Sequence, residues 1–155
     1  MTLSTVAIVR YEKPRDSVEK AVASSRGLEN LKPGMRVFIK PNIVFWTRAV
    51  NFPKWGVITT SRVVEDMVRL LKDRGVDDIT IGEGTVTQNP RDTETMAHAY
   101  ETLGYRTLEK RYGIKAINVF QRPFDKVDLG DGITLNFNTD ILNSDLVVDL
   151  PAMKA

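Results

Sequence analysis

Residues 37–74 constrain the fold more than any other part of the chain. They begin with a short apolar strand that ends in Lys40-Pro41-Asn42, and after a loop of about sixteen residues Thr59-Thr60 opens an amphipathic helix. Pro41 lacks the N–H that a central strand must donate, so strand pairing is expected to stop there. Thr60 is a suitable N-cap. A lysine at a strand end, with a helix N-terminus one loop away, provides the two ingredients of an anion site.

Strand and helix patterns alternate along the rest of the chain. This alternation predicts a single α/β domain over residues 1–155: a three-layer sandwich with a mainly parallel sheet, helices on both faces and a small added hairpin. The strands are expected at residues 3–9, 35–40, 78–82, 115–120 and 145–150, and the hairpin at 127–137. The last strand has no crossover helix after it, so we expect the chain to be the amino-terminal fragment of a longer protein.

The helices between these strands have recognisable ends. Asp16-Ser17-Val18-Glu19 has the form of a capping box, and Gly27 is expected to stop that helix. The helix from Ser61 should end at Arg74-Gly75, and Asp92 should cap the next one. His98, the only histidine, falls on the polar side of that helix and is expected to be a surface residue.

Composition narrows the function classes. The chain has no cysteine, so it can form neither a disulfide nor a cysteine-ligated iron–sulfur cluster. No run of about 18 apolar residues is present, and residues 1–4 do not resemble a signal peptide, so we expect a cytoplasmic protein without a membrane contact. No group of His, Asp and Glu has the spacing of metal ligands, so no metal site is expected.

The net charge of +2 is unevenly distributed along the chain. Residues 1–75 contain 14 Lys/Arg and 7 Asp/Glu, whereas residues 76–155 contain 8 and 13, which gives +7 and −5. Six basic residues and no acidic one lie between Asn30 and Val64. This segment is either a solvated face or a positive field that favours a phosphate, a carboxylate or a nucleic-acid backbone. The low net charge argues against nucleic acid as the partner.

The loop of residues 43–58 is rich in aromatic side chains. Phe45, Trp46, Phe52 and Trp55 lie in it, and a disordered linker would rarely contain so many. A folded lid is the better interpretation. These side chains could cover the end of the core or a partner surface, or they could stack on a ligand.

Polar residues follow three of the predicted strands. They are Lys40 and Asn42, then Glu83, Gly84 and Thr85, then Lys154. In open parallel sheets, ligands bind outside the carboxyl ends of the strands, so neighbouring strands would bring these residues to one crevice. We expect Glu83 and Lys40 to be catalytic, Glu83 as acid or base. The expected ligand contacts are Lys40, Asn42, Thr59, Thr60, Gly84, Thr85 and Lys154.

Four blocks of the sequence resemble the domain-of-unknown-function family numbered 362. They are Ile39-Lys40-Pro41-Asn42, the Thr59-Thr60 helix start, residues 75–84, and residues 144–154. Members are often fused to a ferredoxin-type domain with two iron–sulfur clusters. The resemblance therefore implies a redox setting for a longer parent protein, with the clusters outside this chain and no cofactor within it.

Two hypotheses follow. In the first, the domain forms part of a ligand or active site for a small anionic molecule in a redox-associated protein. In the second, it is a non-catalytic interaction module that docks a ferredoxin-type domain or a partner protein through the aromatic loop of residues 43–58.

Overall fold

The computed structural model of the protein describes residues 4–49, 57–84, 86, 89, 92–121 and 123–152. Helices and strands alternate over most of this length. The helices are α1 (Asp16–Ser25), α2 (Ser61–Lys72), α3 (Glu94–Thr102), α4 (Tyr105–Tyr112) and α5 (Thr139–Leu142). The strands are β1 (Arg36–Pro41), β2 (Asp78–Glu83), β3 (Lys115–Asn118), β4 (Phe124–Asp128), β5 (Thr134–Asn138) and β6 (Leu146–Leu150). No helix in the described part of the chain is long and apolar enough to cross a membrane.

Four strands form a parallel sheet in the order β3-β2-β1-β6. β1 pairs with β2 on one side and with β6 on the other, so β1 lies inside the sheet. β4 and β5 form a separate antiparallel pair, which is the predicted hairpin. The prediction of an α/β sandwich with a mainly parallel sheet and a small hairpin is therefore confirmed.

One face of the sheet carries the main hydrophobic core. Side chains alternate between faces along a strand, so Val37 and Ile39 of β1 lie on the same face as Ile79 and Ile81 of β2. All four are buried in one cluster with apolar residues of α1, α2, α3 and α4. α2 contributes most of the helical side of this core, because its apolar residues recur at three- and four-residue spacing.

The opposite face is built around Phe38, which is 1% exposed. Its ring lies over Gly82 so closely that a Cβ on Gly82 would be 2.2 Å from the ring's Cζ. Any side chain at Gly82 would therefore collide with a buried ring. The hairpin and α5 lie on this side, where Phe137 and Ile141 line a groove with Val119, just beyond β3.

The prediction of a strand over residues 3–9 is wrong for its described part. Residues 4–9 belong to no strand, and the side chains of Val6 and Ile8 are 85% and 98% exposed. β-branched residues favour strands, but a strand needs a pairing partner, and the described strands leave this segment unpaired.

Both ends of α1 also differ from their predictions. Asp16 is the first residue of α1 and not its cap; the cap position is Arg15, with φ 66° and no side-chain capping hydrogen bond. The left-handed residue after α1 is Arg26, with φ 56°, and not Gly27. The regular part of α2 ends at Lys72, and the predicted stop is confirmed: Gly75 takes the left-handed conformation with φ 80°, and its N–H donates to the Lys72 carbonyl at 2.9 Å. The Asp92 carboxylate accepts the N–H groups of Glu94 and Thr95, so it does cap α3.

Asp145 connects the start of β6 to β1 by two hydrogen bonds. Its backbone N–H donates to the Arg36 carbonyl at 2.8 Å, and its carboxylate accepts the Arg36 N–H at 2.8 Å. The hydrogen bond from the Arg36 backbone, helped by the Arg36 guanidinium 3.6 Å away, holds the pKa of Asp145 below its usual value. β6 is thereby held in register beside β1.

This contact predicts a pH dependence of stability. A carboxylate with a lowered folded pKa contributes stability above its unfolded pKa of about 3.9, and that contribution is lost as the pH falls through the folded pKa. We expect Asp145→Asn to be less stable than wild type at pH 7 and to lose less stability between about pH 4 and pH 2. Urea unfolding at several pH values measures both effects. Asp125→Asn is the control, since Asp125 is exposed on β4, and equal pH slopes for wild type and Asp145→Asn would contradict the prediction.

Candidate functional site

The carboxyl ends of β1, β2 and β6 meet at one edge of the sheet. β1 and β6 pair as far as Pro41 and Leu150, whereas the pairing of β1 with β2 ends at Ile39 and Ile81. Pro41 is the last residue of its strand, as predicted from its missing N–H. The edge beyond these residues is where open parallel sheets bind ligands.

Lys40 lies between two carboxylates at this edge. Its Nζ is 3.3 Å from Oε2 of Glu83 and 3.8 Å from Oδ1 of Asp149, its register partner on β6. The Lys40 side chain is 45% exposed, the Glu83 side chain only 11%, and that of Asp149 59%. The structure therefore brings together Lys40 and Glu83, as predicted, and adds Asp149. The sequence signal for Asp149 is a charged residue within an apolar strand.

The carboxylate of Glu83 is held by backbone donors as well as by Lys40. Oε2 accepts the N–H of Ile43 at 3.2 Å, and Oε1 accepts the N–H of Gly84 at 2.9 Å. The side chain thus connects the end of β2 to the first residues of the loop after β1. These three donors occupy three of the about four acceptor positions of a carboxylate, so the group is largely engaged by the chain itself. The catalytic role of Glu83 stays a prediction.

Two buried tyrosines, Tyr100 and Tyr105, lie on the core side of the site, and Tyr100 contacts Glu83 directly. The Tyr100 hydroxyl accepts the Glu83 N–H at 3.0 Å and donates to the Ile117 carbonyl at 2.6 Å. The ring of Tyr105 is 5.2 Å from that of Tyr100, and its buried hydroxyl has no hydrogen-bond partner among the described residues. Burial raises the pKa of both phenols, and the Glu83 carboxylate raises each further. The helical pattern assigns Tyr100 to the core, but it does not show this link to the strand end.

Asn42 and Thr59 close the aromatic loop. The N–H of Asn42 donates to the Thr59 hydroxyl, and the N–H of Thr59 donates to the Asn42 carbonyl, each at 3.0 Å. The Thr59 hydroxyl also donates to the carbonyl of Leu150 at the end of β6. The Asn42 amide donates to the Val57 carbonyl at 3.0 Å. These polar groups join β1, β6 and the loop, so contacts within the chain occupy much of the hydrogen-bonding capacity predicted for a ligand.

Thr60 is the N-cap residue of α2, as predicted, but its side chain makes no capping hydrogen bond. The first turn of α2 contains no acidic residue. The first N–H groups of a helix lack intrahelical partners and carry a positive partial charge, so this end of α2 can receive an anion or water. Thr59 fixes this helix end beside Leu150, at the same edge as Asp149.

The aromatic loop is folded onto α3. Trp46 is 4% exposed and belongs to the main core cluster, and its indole N–H donates to Nδ1 of His98 at 2.9 Å. Arg48 pairs with Glu94 at 2.6 Å. Trp46 therefore covers the core, which is one of the two predicted roles for these aromatics. His98 is exposed, as predicted, but it is also the acceptor that orients Trp46.

Four of the residues singled out from the sequence lie outside the described residues. They are Thr85 and Lys154 of the expected ligand contacts, and Phe52 and Trp55 of the aromatic loop. Within the described ranges, no three His, Asp or Glu side chains lie close enough together to hold a metal ion.

The chain matches a protein-family model. The model of the family described as Domain of unknown function (DUF362) matches residues 37–155. This range begins at Val37, the second residue of β1, and includes every residue proposed for the site. No curated protein and no solved structure matches the chain.

Proposed function

The chain belongs to this family of domains of unknown function, and we propose that it forms part of a binding or active site for a small anionic molecule. The site is the carboxyl edge of the parallel sheet. The observation that carries the proposal is Lys40, held at that edge between Glu83 and Asp149 with nearly half of its side chain exposed.

The geometry of Lys40 leaves donors for a ligand. An ammonium group has three N–H donors. One reaches Glu83 at 3.3 Å, while Asp149 at 3.8 Å lies beyond an ordinary hydrogen bond. The carboxylates keep the ammonium at the strand ends, and its remaining donors are directed to a ligand or to solvent.

An anion at this edge needs a source of positive charge besides Lys40. Lys40, Glu83 and Asp149 together carry one negative charge, which by itself opposes an anion. The uncapped N-terminus of α2 supplies positive partial charge at the same edge. Arg62, in the first turn of α2, adds a positive charge near this end, whereas Arg36 is paired with Asp145 at the other end of β1. A carboxylate or phosphate bound between Lys40 and α2 would be stabilised by both.

Lys40 would then polarise or hold the anionic group, and Glu83 would accept or return a proton. The redox setting of the proposal comes from the family resemblance, which implies frequent fusion to ferredoxin-type iron–sulfur domains. A cytoplasmic location is also part of this proposal, and the composition of the sequence supports it.

Replacing Lys40 by alanine tests the proposal. A hydrogen bond to a charged group contributes about 1.5–3 kcal/mol, so Lys40→Ala should weaken binding of acetate or inorganic phosphate by about tenfold or more. Stability should change by no more than about 1 kcal/mol, because the lysine is half exposed. Titration followed by NMR chemical shifts gives the affinities, and thermal unfolding gives the stability.

Lys72→Ala is the matched control. Lys72 also pairs with a carboxylate at 3.3 Å, that of Asp77, but it lies at the opposite end of α2. Equal anion affinities in wild type, Lys40→Ala and Lys72→Ala would contradict the proposal. A loss of folding in Lys40→Ala would contradict it as well.

A second candidate function is supported by the surface of the aromatic loop. Val44 and Phe45 are 40% and 48% exposed, next to the buried Trp46. Exposed apolar side chains on a folded loop are suited to docking a ferredoxin-type domain or a partner protein. In this hypothesis Phe45 contacts the partner and Trp46 supports the loop.

A further inference from the structure

An apolar groove lies beside the candidate site. It encloses about 690 Å³ between the residues that follow β2 and β3, the hairpin and α5. Its walls include Val119, Phe120, Phe124, Phe137 and Ile141, and the lining residues that the structure describes are apolar apart from Asn136 and Asn138. Pockets for small molecules have volumes of about 300–1,000 Å³ and mostly apolar walls. The groove thus has the size and lining of a small-molecule pocket.

The groove opens on the face of the sheet to which Lys40 points. Residues two apart along a strand share a face, so Lys40 lies on the same face as Phe38. The paired register places Gly82 on that face too, and Gly84 continues it beyond the strand. Asp149 lies there as the register partner of Lys40.

A short series of contacts connects the groove to Lys40. The ring of Phe120 lies so close to Gly84 that a Cβ there would be 2.6 Å from it. The N–H of Gly84 donates to Glu83 at 2.9 Å, and Glu83 contacts Lys40 at 3.3 Å. A glycine at position 84 is therefore what lets the aromatic wall approach the charged end of the site.

We propose that the groove binds the apolar body of the ligand whose anionic group is held by Lys40. This inference rests on the proposed function and specifies its substrate class: a carboxylate or phosphate attached to a planar, apolar body such as an aromatic ring system. Phe120 and Phe137, which are 58% and 42% exposed, supply surfaces on which such a ring can stack.

The test compares three probes on this chain. 2-Naphthoate has both the ring system and the carboxylate, acetate has the carboxylate alone, and 2-naphthalenemethanol has the ring system alone. We expect 2-naphthoate to bind at least about tenfold more tightly than either of the others, because ring burial and ion pairing then act together. NMR titration measures all three affinities, and size-exclusion chromatography gives the oligomeric state with and without each probe.

Variants locate the binding of the ring. Phe120→Ala should remove most of the preference for 2-naphthoate over acetate while leaving acetate affinity unchanged, and Phe137→Ser should act in the same direction from the opposite wall. Ile133→Ala is the matched control, since Ile133 is 55% exposed on the hairpin turn but does not line the groove. Lys40→Ala should weaken both acetate and 2-naphthoate.

The outcomes separate this inference from the proposed function. If acetate binding depends on Lys40 but 2-naphthoate binds no more tightly, the inference fails and the proposed function stands. If neither anion depends on Lys40, both fail. Equal binding of 2-naphthoate and 2-naphthalenemethanol would overturn the anionic part of the substrate class. An equal effect of Ile133→Ala, or a dimer that excludes 2-naphthoate, would show that the groove is a general or protein-binding apolar surface and would overturn the inference.

Discussion

Replacing Trp46 by alanine should lower the free energy of unfolding by about 3–5 kcal/mol, the usual cost of removing a large aromatic side chain from a core. Trp46 is 4% exposed and packs within the main hydrophobic cluster. Its indole N–H also donates to His98 at 2.9 Å, so the substitution removes a hydrogen bond together with the ring. Urea unfolding followed by far-ultraviolet circular dichroism measures the change.

Two further variants help to interpret this loss of stability. His98→Ala tests the indole hydrogen bond alone, and Phe45→Ala is the control for an exposed aromatic residue of the same loop. His98→Ala removes the acceptor of the indole hydrogen bond and should cost about 1 kcal/mol. Phe45→Ala changes the neighbouring aromatic, which is 48% exposed, and should change stability by less than about 1 kcal/mol. A Trp46→Ala protein as stable as Phe45→Ala would refute the core role. In the docking hypothesis, Phe45→Ala should weaken association with a ferredoxin-type domain even though the fold is intact.

Replacing Glu83 by alanine should lower the free energy of unfolding by about 2–4 kcal/mol. The carboxylate accepts the N–H groups of Ile43 and Gly84, and each buried donor left without a partner costs about 1–3 kcal/mol. Without the Glu83 carboxylate, the loop after β1 also loses its hydrogen bond from Ile43 to the end of β2. Chemical denaturation gives the stability, and amide hydrogen exchange of Ile43 and Gly84 shows whether the local structure opens.

Asp149→Ala is the control for Glu83→Ala, because both residues are carboxylates beside Lys40. Asp149 is 59% exposed and 3.8 Å from the ammonium, so its removal should change stability by less than about 1 kcal/mol. Similar losses in the two variants would mean that pairing with Lys40, rather than backbone support, is the main role of Glu83.

The site was predictable from sequence where a local pattern marks a strand end. Pro41 indicates the end of β1, which places Lys40 at the carboxyl edge, and the apolar residues before Glu83 do the same for β2. Thr60 marks the start of α2, although its hydroxyl does not make the expected capping bond. These features depend on residues close together in the chain, so a pattern can reveal them.

Contacts between distant segments were not predictable in this way. Asp149 lies more than a hundred residues from Lys40, and only the pairing of β6 with β1 brings them side by side. Trp46 and Phe45 are neighbours in the same loop, but packing against α3 buries one and exposes the other. The strand predicted for residues 3–9 failed for the same reason, since strand formation depends on a partner as well as on β-branched residues.

Alternating strand and helix patterns were enough to predict the α/β architecture, because they admit few other arrangements. They also predicted that Lys40, Glu83 and the start of α2 lie at strand and helix ends. The folded molecule was needed to show which strands are neighbours, that Lys40 lies between Glu83 and Asp149, and that Phe120 approaches the same edge over Gly84. Periodicity and capping act over a few residues, whereas ion pairing and core packing act through space between segments far apart in the chain.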